Sequence, residues 1–319
     1  MEPASELTPE LRAFVEFVAK KGCELYRDLP WRRTYDPYAI WISEVMLQQT
    51  QVSRVDGRWQ RWLERFPTVD ALAAAAPSDV LEEWQGLGYN RRALSVHRAA
   101  QAISEAGGIF PQDPKELVKL PGIGPATAAG IRAFAFNLHG VYLETNVRTV
   151  FLHELYPQAE GVPDSELVPL VELTCPASVE DAADADSAAN VADAANAVDA
   201  DSAANDATAE LTPRSWYYAL LDYGAYLKKT IPNPSRRSKS HVKQSRFEGS
   251  HRQKRAELLR VLLAHKDEGG AVFETLHQEL CQIEINAGRE TLDEQVTLGL
   301  LEELAKEGFC QKNDEYWLP

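Results

Sequence analysis

The chain has 319 residues, 45% of them hydrophobic, and carries 33 Lys and Arg against 48 Asp and Glu, for a formal charge of −15. That length suffices for two or three domains with a sizeable core. No apolar run is long enough to span a bilayer and the N-terminus lacks a basic-then-apolar signal, so a cytoplasmic protein without membrane contact is expected. The four cysteines, Cys23, Cys175, Cys281 and Cys310, are widely scattered; no pair has metal-ligand spacing, no metal site is expected, and all four read as structural.

Taken in order, the chain reads as mostly helical. Asp36-Pro37 opens a helix through Trp41-Ile42-Ser43-Glu44-Val45-Met46-Leu47, whose apolar spacing has helical period. Glu44 lies inside that apolar run, so it is either solvated at the edge or held in a dry pocket with a raised pKa. Gln48-Gln49-Thr50-Gln51 places uncharged hydrogen-bonding side chains at the helix end, and base edges are one natural target. Asp113-Pro114 with Glu116 reads as a capped helix start.

Leu120-Pro121-Gly122-Ile123-Gly124-Pro125 then reads as a tight turn opening an Ala-rich helix. Pro121 fixes φ, and Gly122 and Gly124 are free to take φ > 0. Such a turn aims main-chain N–H groups and a helix N-terminus at one point, which suits a phosphate. Glu144-Thr145-Asn146-Val147 supplies a carboxylate one short helix later. The alternative is an ordinary helix corner beside a solvated Glu.

Residues 176–210 hold nine acidic residues and no basic one, in an Ala, Asp, Asn and Ser background, and without them the charge moves from −15 to −6. With no apolar periodicity to bury, this insert is expected to be disordered. Thr212-Pro213 opens a helix that Gly224 is expected to end. Residues 228–260 hold eleven Lys and Arg against Glu248 and Glu257 and read as a basic, irregular strap fit for phosphate contact, with Arg236, Arg237 and Lys239 at its centre. A solvated linker is the alternative. Helical runs near 250–264, 272–281 and 290–306, then a hairpin turning at Asn313-Asp314, suggest a small winged-helix-like module.

Several ordered segments together resemble the helix-hairpin-helix DNA glycosylases, and within them the A/G-specific adenine glycosylases of the MutY type. They are Leu29-Pro30-Trp31, Ser43 to Val52, Arg65-Phe66-Pro67-Thr68, Trp84-Gln85-Gly86-Leu87-Gly88-Tyr89, Leu120 to Gly124, Asn146-Val147, and Ala219-Leu220-Leu221-Asp222-Tyr223-Gly224-Ala225. The resemblance covers roughly residues 8–228 apart from the insert. It implies a mainly α fold of two lobes with a small C-terminal winged-helix-like α/β domain. One lobe is expected over 1–30 plus 145–245, interrupted by 176–210; a six-helix lobe with the hairpin over 31–144; and the last domain over 250–319.

The resemblance also implies a chemistry. Purine departure from a flipped-out nucleotide is helped by a carboxylic acid that protonates a ring nitrogen, and the oxocarbenium-like sugar by a second, ionised carboxylate. Glu44 matches the family's proton donor, Glu144 the position of its ionised Asp, and Asn146 an Asn that holds that acid. Gln48 matches the residue entering the duplex beside the flipped nucleotide, with Gln49 and Thr50 next to it, and Tyr89 one that stacks near the opposite base. Gly122, Gly124 and Ala126 match the DNA-contacting hairpin. Ala126 stands where bifunctional relatives place a Schiff-base Lys, so a monofunctional enzyme is expected. Most relatives carry four cysteines for a [4Fe–4S] cluster; the first of those positions is Lys228 and no Cys lies between 176 and 280, so no cofactor is expected. Residues 250–319 are too short for the Nudix-like domain that reads 8-oxoguanine. The expected protein is a monomeric base excision repair glycosylase, nucleoid-associated when on DNA, that acts on adenine mispaired with guanine or 8-oxoguanine in duplex DNA. The alternatives are a mismatch glycosylase for thymine, uracil or another damaged base, and a non-catalytic DNA-damage binding module with an unknown partner for its C-terminal domain.

Overall fold

The computed structural model describes residues 7–178, 211–241 and 245–319. Its helices are α1 (Pro9–Glu24), α2 (Pro37–Leu47), α3 (Val52–Val55), α4 (Arg58–Arg65), α5 (Val69–Ala74), α6 (Pro77–Glu83), α7 (Arg91–Glu105), α8 (Pro114–Leu117), α9 (Pro125–Phe136), α10 (Thr145–Glu154), α11 (Asp164–Thr174), α12 (Pro213–Thr230), α13 (His251–Ala264), α14 (Phe273–Asn286) and α15 (Glu294–Glu307). Strands β1 (Ala271–Val272), β2 (Gln311–Asn313) and β3 (Tyr316–Leu318) form one antiparallel sheet in the order β1-β3-β2, with Trp317 opposite both Ala271 and Lys312. Among the described residues, no helix is long and apolar enough to cross a membrane.

The chain divides into two compact units. The first takes residues 1–44 and 110–242. Its core is built on α1, α9, α10 and α12, where Phe14 meets Phe151 edge-on at 5.1 Å and Trp216 at 6.1 Å, and Phe134 stacks on Tyr218 at 4.6 Å. Arg32 forms a buried bidentate pair with Asp222 at 2.7 and 2.8 Å, and Arg27 adds two more bonds to the same carboxylate, from Nε at 2.5 Å and from its main-chain N–H at 3.2 Å. The turn around Pro30–Arg32 is thereby tied to the middle of α12. The helix-hairpin-helix is α8, the turn through Gly122, and α9.

The second unit takes residues 45–109 and 243–319. Ion pairs join its two segments: Lys266 with Asp79 at 2.5 Å and Glu82 at 3.0 Å, and Arg91 with Glu307 at 2.6 Å. Three helices and the small sheet give residues 251–318 a winged-helix-like arrangement. The two-residue turn falls at Asp314-Glu315, one position later than expected, with Asp314 at φ 51°. This division cuts the expected 31–144 lobe at Glu44 and Phe110. The small residues Ala129, Gly130 and Ala133 let α9 pack into the first unit's core, and the ion pairs above gather 243–319 with 45–109.

Local expectations fare unevenly for physical reasons. Gly122 is left-handed at φ 78°, but Gly124 is extended at φ −88° because it caps α9 with Pro125 at the first helical position. Gly224 does not end α12, which continues to Thr230. A Cβ there would lie 2.3 Å from the Asn146 carbonyl oxygen, so this glycine is a contact point between α12 and the start of α10. The strap is irregular over a shorter span than 228–260, since Lys228 and Lys229 finish α12 and Arg252 to Arg260 lie on α13. The expectation of disorder over 176–210 falls mostly outside the described residues. Its first three residues are placed, and the Ser178 hydroxyl accepts the His139 N–H at 2.8 Å.

Candidate active site

Glu44 sits on α2 among apolar neighbours: Ile40, Trp41, Ile42, Val45 and Met46 around it are all buried. Its Oε2 accepts the Tyr142 hydroxyl at 2.8 Å. Across from it, α9 presents Gly130. A Cβ at Gly130 would stand 2.5 Å from Glu44 Oε2 and 2.9 Å from the Tyr142 ring, so the glycine makes room for the carboxyl. Burial pushes the Glu44 carboxyl up to about 7; the Tyr142 hydroxyl opposes that shift and the Glu144 charge adds to it. The residue keeps some solvent exposure. Tyr142 is buried, and its own pKa lies well above the usual phenol range through the same desolvation. Tyr217 braces it from α12, its hydroxyl accepting the Tyr142 N–H at 3.1 Å and donating to the Gly140 carbonyl.

Glu144 is the N-cap of α10. Its Oε1 accepts the Asn146 N–H at 2.5 Å and the Val147 N–H at 3.1 Å. Two orphan amides and the positive end of the helix therefore face one carboxylate. The resemblance gave Asn146 the task of holding the acid, and the observed donor is its main-chain N–H. The Glu144 side chain folds back onto the first turn of the helix it caps. Lys228 is half-buried near the same helix start; burial lowers its pKa and the Glu144 charge works against that.

In the second unit, Gln48, Gln49 and Thr50 form the turn that ends α2, and Gln49 is left-handed at φ 54°. Tyr89 is 43% exposed and also left-handed, at φ 51°. Gly122, Gly124 and Ala126 are exposed on the hairpin of the first unit, around the buried anchor Ile123. The strap residues separate. Arg236 and Lys239 are exposed. Arg237 instead turns inward and donates to the carbonyls of Leu152 at 2.7 Å, Tyr156 at 2.5 Å and Ala159 at 3.4 Å. Its charge closes the C-terminal end of α10.

The same segment is where the resemblance would place an iron–sulfur cluster. The donor set does not fit one: Lys228 stands at the first position, no Cys lies between 176 and 280, and Arg237 with the Val162–Ser238 bridge holds the segment in place. Sequence reasoning missed Tyr142, Gly130 and Tyr217. Only Gly130 left a signal, since a glycine inside an Ala-rich helix costs about 1 kcal/mol and demands a reason.

The family model for the HhH-GPD superfamily of base excision DNA repair proteins matches residues 42–212. The chain belongs to that superfamily. It is 45% identical over 137 residues to an adenine DNA glycosylase of Mycolicibacterium smegmatis, a match covering 42% of this chain and 47% of the relative. Adenine DNA glycosylases of Buchnera aphidicola subsp. Baizongia pistaciae (41% over 127 residues, 40% of this chain and 36% of the relative) and of Homo sapiens (39% over 134 residues, 39% and 24%) are similar over comparable stretches. The matched stretch thus spans half or less of each of these relatives. Among solved structures, a thermostable thymine-DNA glycosylase shares the fold with a TM-score of 0.54 at 20% identity, over 70% of this chain and 90% of that one.

Proposed function

We propose that the protein is a monofunctional DNA glycosylase of base excision repair that hydrolyses the N-glycosidic bond of adenine mispaired with guanine or 8-oxoguanine in duplex DNA. One observation carries the reading: a carboxyl, Glu44, set among buried apolar residues and bonded to the Tyr142 hydroxyl, with a second carboxylate fixed by main-chain amides at Glu144. The protonated acid gives its proton to a ring nitrogen of the extruded purine, making a neutral leaving group. The Glu144 carboxylate offsets the positive charge that develops on the sugar, and water completes the hydrolysis at C1′. Adenine is favoured over a pyrimidine because ring protonation helps purine departure most, and because the similar relatives are named for adenine.

The hairpin turn at Gly122 supplies a phosphate anchor, the Gln48–Thr50 turn and Tyr89 the duplex-reading surface, and Arg236 and Lys239 further backbone contacts. With Ala126 where a nucleophilic amine would stand, the reaction ends at the abasic site. No cofactor enters it, and a single chain suffices. The test is a panel of duplexes holding A·G, A·8-oxoguanine, G·T and G·U pairs, read as free base released and as strand breakage. Release of adenine with intact backbone supports the reading; release of thymine or uracil alone, or breakage without alkali, refutes it.

A further inference from the structure

The two turns assigned to the duplex, Gln48–Thr50 and Gly86–Tyr89, lie in the same unit, and one side chain binds both. Arg92, in the first turn of α7, directs Nη1 to the carbonyls of Val45 at 2.7 Å, Met46 at 3.3 Å and Gln48 at 2.7 Å. Its Nη2 reaches the Thr50 hydroxyl at 3.2 Å and the carbonyls of Leu87 at 3.3 Å and Gly88 at 3.0 Å. The guanidinium carbon also lies 5.3 Å from the Trp84 ring centre and 5.4 Å from that of Tyr89. A half-buried cation is therefore solvated by main-chain carbonyls drawn from the end of α2 with the turn that follows it and from the Gly86–Tyr89 turn.

Each of those turns contains a non-glycine residue in the left-handed region, Gln49 at φ 54° and Tyr89 at φ 51°. Such backbone persists in bulky residues only where the surroundings over-determine it. The planar fork of an arginine supplies that determination, because the N–H groups of Nη1 and Nη2 have fixed mutual angles and are shared among these acceptors. A lysine ammonium is a point charge without the fork. Thr50 strengthens the same junction, its hydroxyl donating to the Gln48 carbonyl at 3.2 Å and the Leu87 carbonyl at 3.5 Å.

We propose that Arg92 is the positioning residue for nucleotide extrusion: its fork fixes the Gln48–Gln49 turn and the Tyr89 turn against each other, so that the duplex meets a preformed insertion surface. Arg92 touches no reacting atom. It acts through the two turns by removing the cost of ordering them when the base stack opens. The proposal rests on the reading of Gln48 and Tyr89 as duplex-facing, and the experiment separates the two.

Single-turnover excision is measured for wild type, Arg92→Lys, Gln48→Ala and Tyr89→Ala on two duplexes. One holds adenine stacked in a mispair; the other flanks the same adenine with abasic analogues, leaving little stacking to break. Arg92→Lys should lose about tenfold or more on the stacked substrate, since small misplacements have large kinetic costs. It should recover most of that loss on the unstacked one, with the midpoint of the pH profile unchanged. Equal loss on both substrates, or a shifted midpoint, means a merely structural role and overturns the proposal, as does an undiminished rate. If Gln48→Ala and Tyr89→Ala keep full rate on both duplexes, the duplex-facing reading falls and takes the proposal with it. If they lose rate while Arg92→Lys does not, only the role of Arg92 falls. Should Arg92→Lys melt below the assay temperature, Thr50→Val is carried through the same comparison, with the same outcomes supporting or overturning the proposal.

Discussion

At the scale of single residues, Glu44 carries a cost that its proposed task explains. An ionised carboxylate in that packing is unfavourable, and the folded state therefore holds a proton up to about pH 7, where the unfolded chain has lost it above 4.5. The folded state binds more protons than the unfolded state between those values, so the contribution of Glu44 to stability falls as pH rises through that window. Replacing it by Gln removes the penalty and keeps an oxygen to accept the Tyr142 hydroxyl. We expect Glu44→Gln to melt higher than wild type at pH 8, with the gap closing towards pH 5, while excision is abolished and duplex affinity is retained. Thermal melts across that range check the sign. In wild type, the excision rate should fall as pH rises through about 7, because the acid form is the active one. Gly130→Ala tests the same pocket from the other side. The new Cβ would stand 2.5 Å from Glu44 Oε2, and the expected result is a loss of about 100-fold in single-turnover rate, with DNA affinity little changed. An unchanged rate would mean that the contact with Glu44 has no bearing on catalysis.

At the scale of elements, α10 is fixed at both ends by charges that the sequence does not assign to that work. Glu144 caps its start and Arg237 closes its end. Removing the cap with Glu144→Ala should cost about 1 kcal/mol of stability by denaturant titration, within the usual range for an N-cap truncated to Ala. Glu144→Asp should keep both the cap and activity, because Asp is among the preferred capping residues. Loss of activity in the Asp variant alone would show that the chemistry needs the longer reach. Arg237→Gln should destabilise without altering the salt dependence of DNA binding.

How far these elements were legible depends on range. α2, α12 and the C-terminal helices follow from local caps and apolar period: Thr212 and Ser215 close a capping box, and Asp293 caps α15. The acid pair was legible as residue types in a motif. The partner of Glu44 was not, because Tyr142 is 98 positions away and nothing in its neighbourhood marks a buried hydroxyl. Gly224 was misread for a similar reason. A glycine near an expected helix end looks like a C-cap, and only the packing of α12 on α10 reveals a close approach instead. Arg237 shows the limit for charge: in sequence it is one cation among eleven in the basic region, and only its fold-back onto three carbonyls sets it apart.

For the whole molecule, the charge of −15 opposes binding to a polyanion, and nine of the acids lie in residues 176–210. Deleting 180–209 spares Ser178, which the fold uses. It should leave the melting temperature and specific excision unchanged and strengthen non-specific duplex binding at low salt, with the gain shrinking as salt screens the field. Neutralising the exposed pair Arg236 and Lys239 should flatten the slope of log affinity against log salt by about 0.9 for each phosphate that is no longer neutralised. An unaltered slope in that double variant would remove the strap from the DNA interface. The decisive measurement is single-turnover release of free adenine from a duplex holding adenine opposite 8-oxoguanine, for wild type and Glu44→Gln side by side at pH 6.5, with binding of the same duplex measured in parallel. Wild type should release adenine, the variant should release none, and the two should bind the duplex with similar affinity. Equal release by the two proteins, or no adenine released by wild type, would contradict the assignment of Glu44 as the proton donor of an adenine glycosylase.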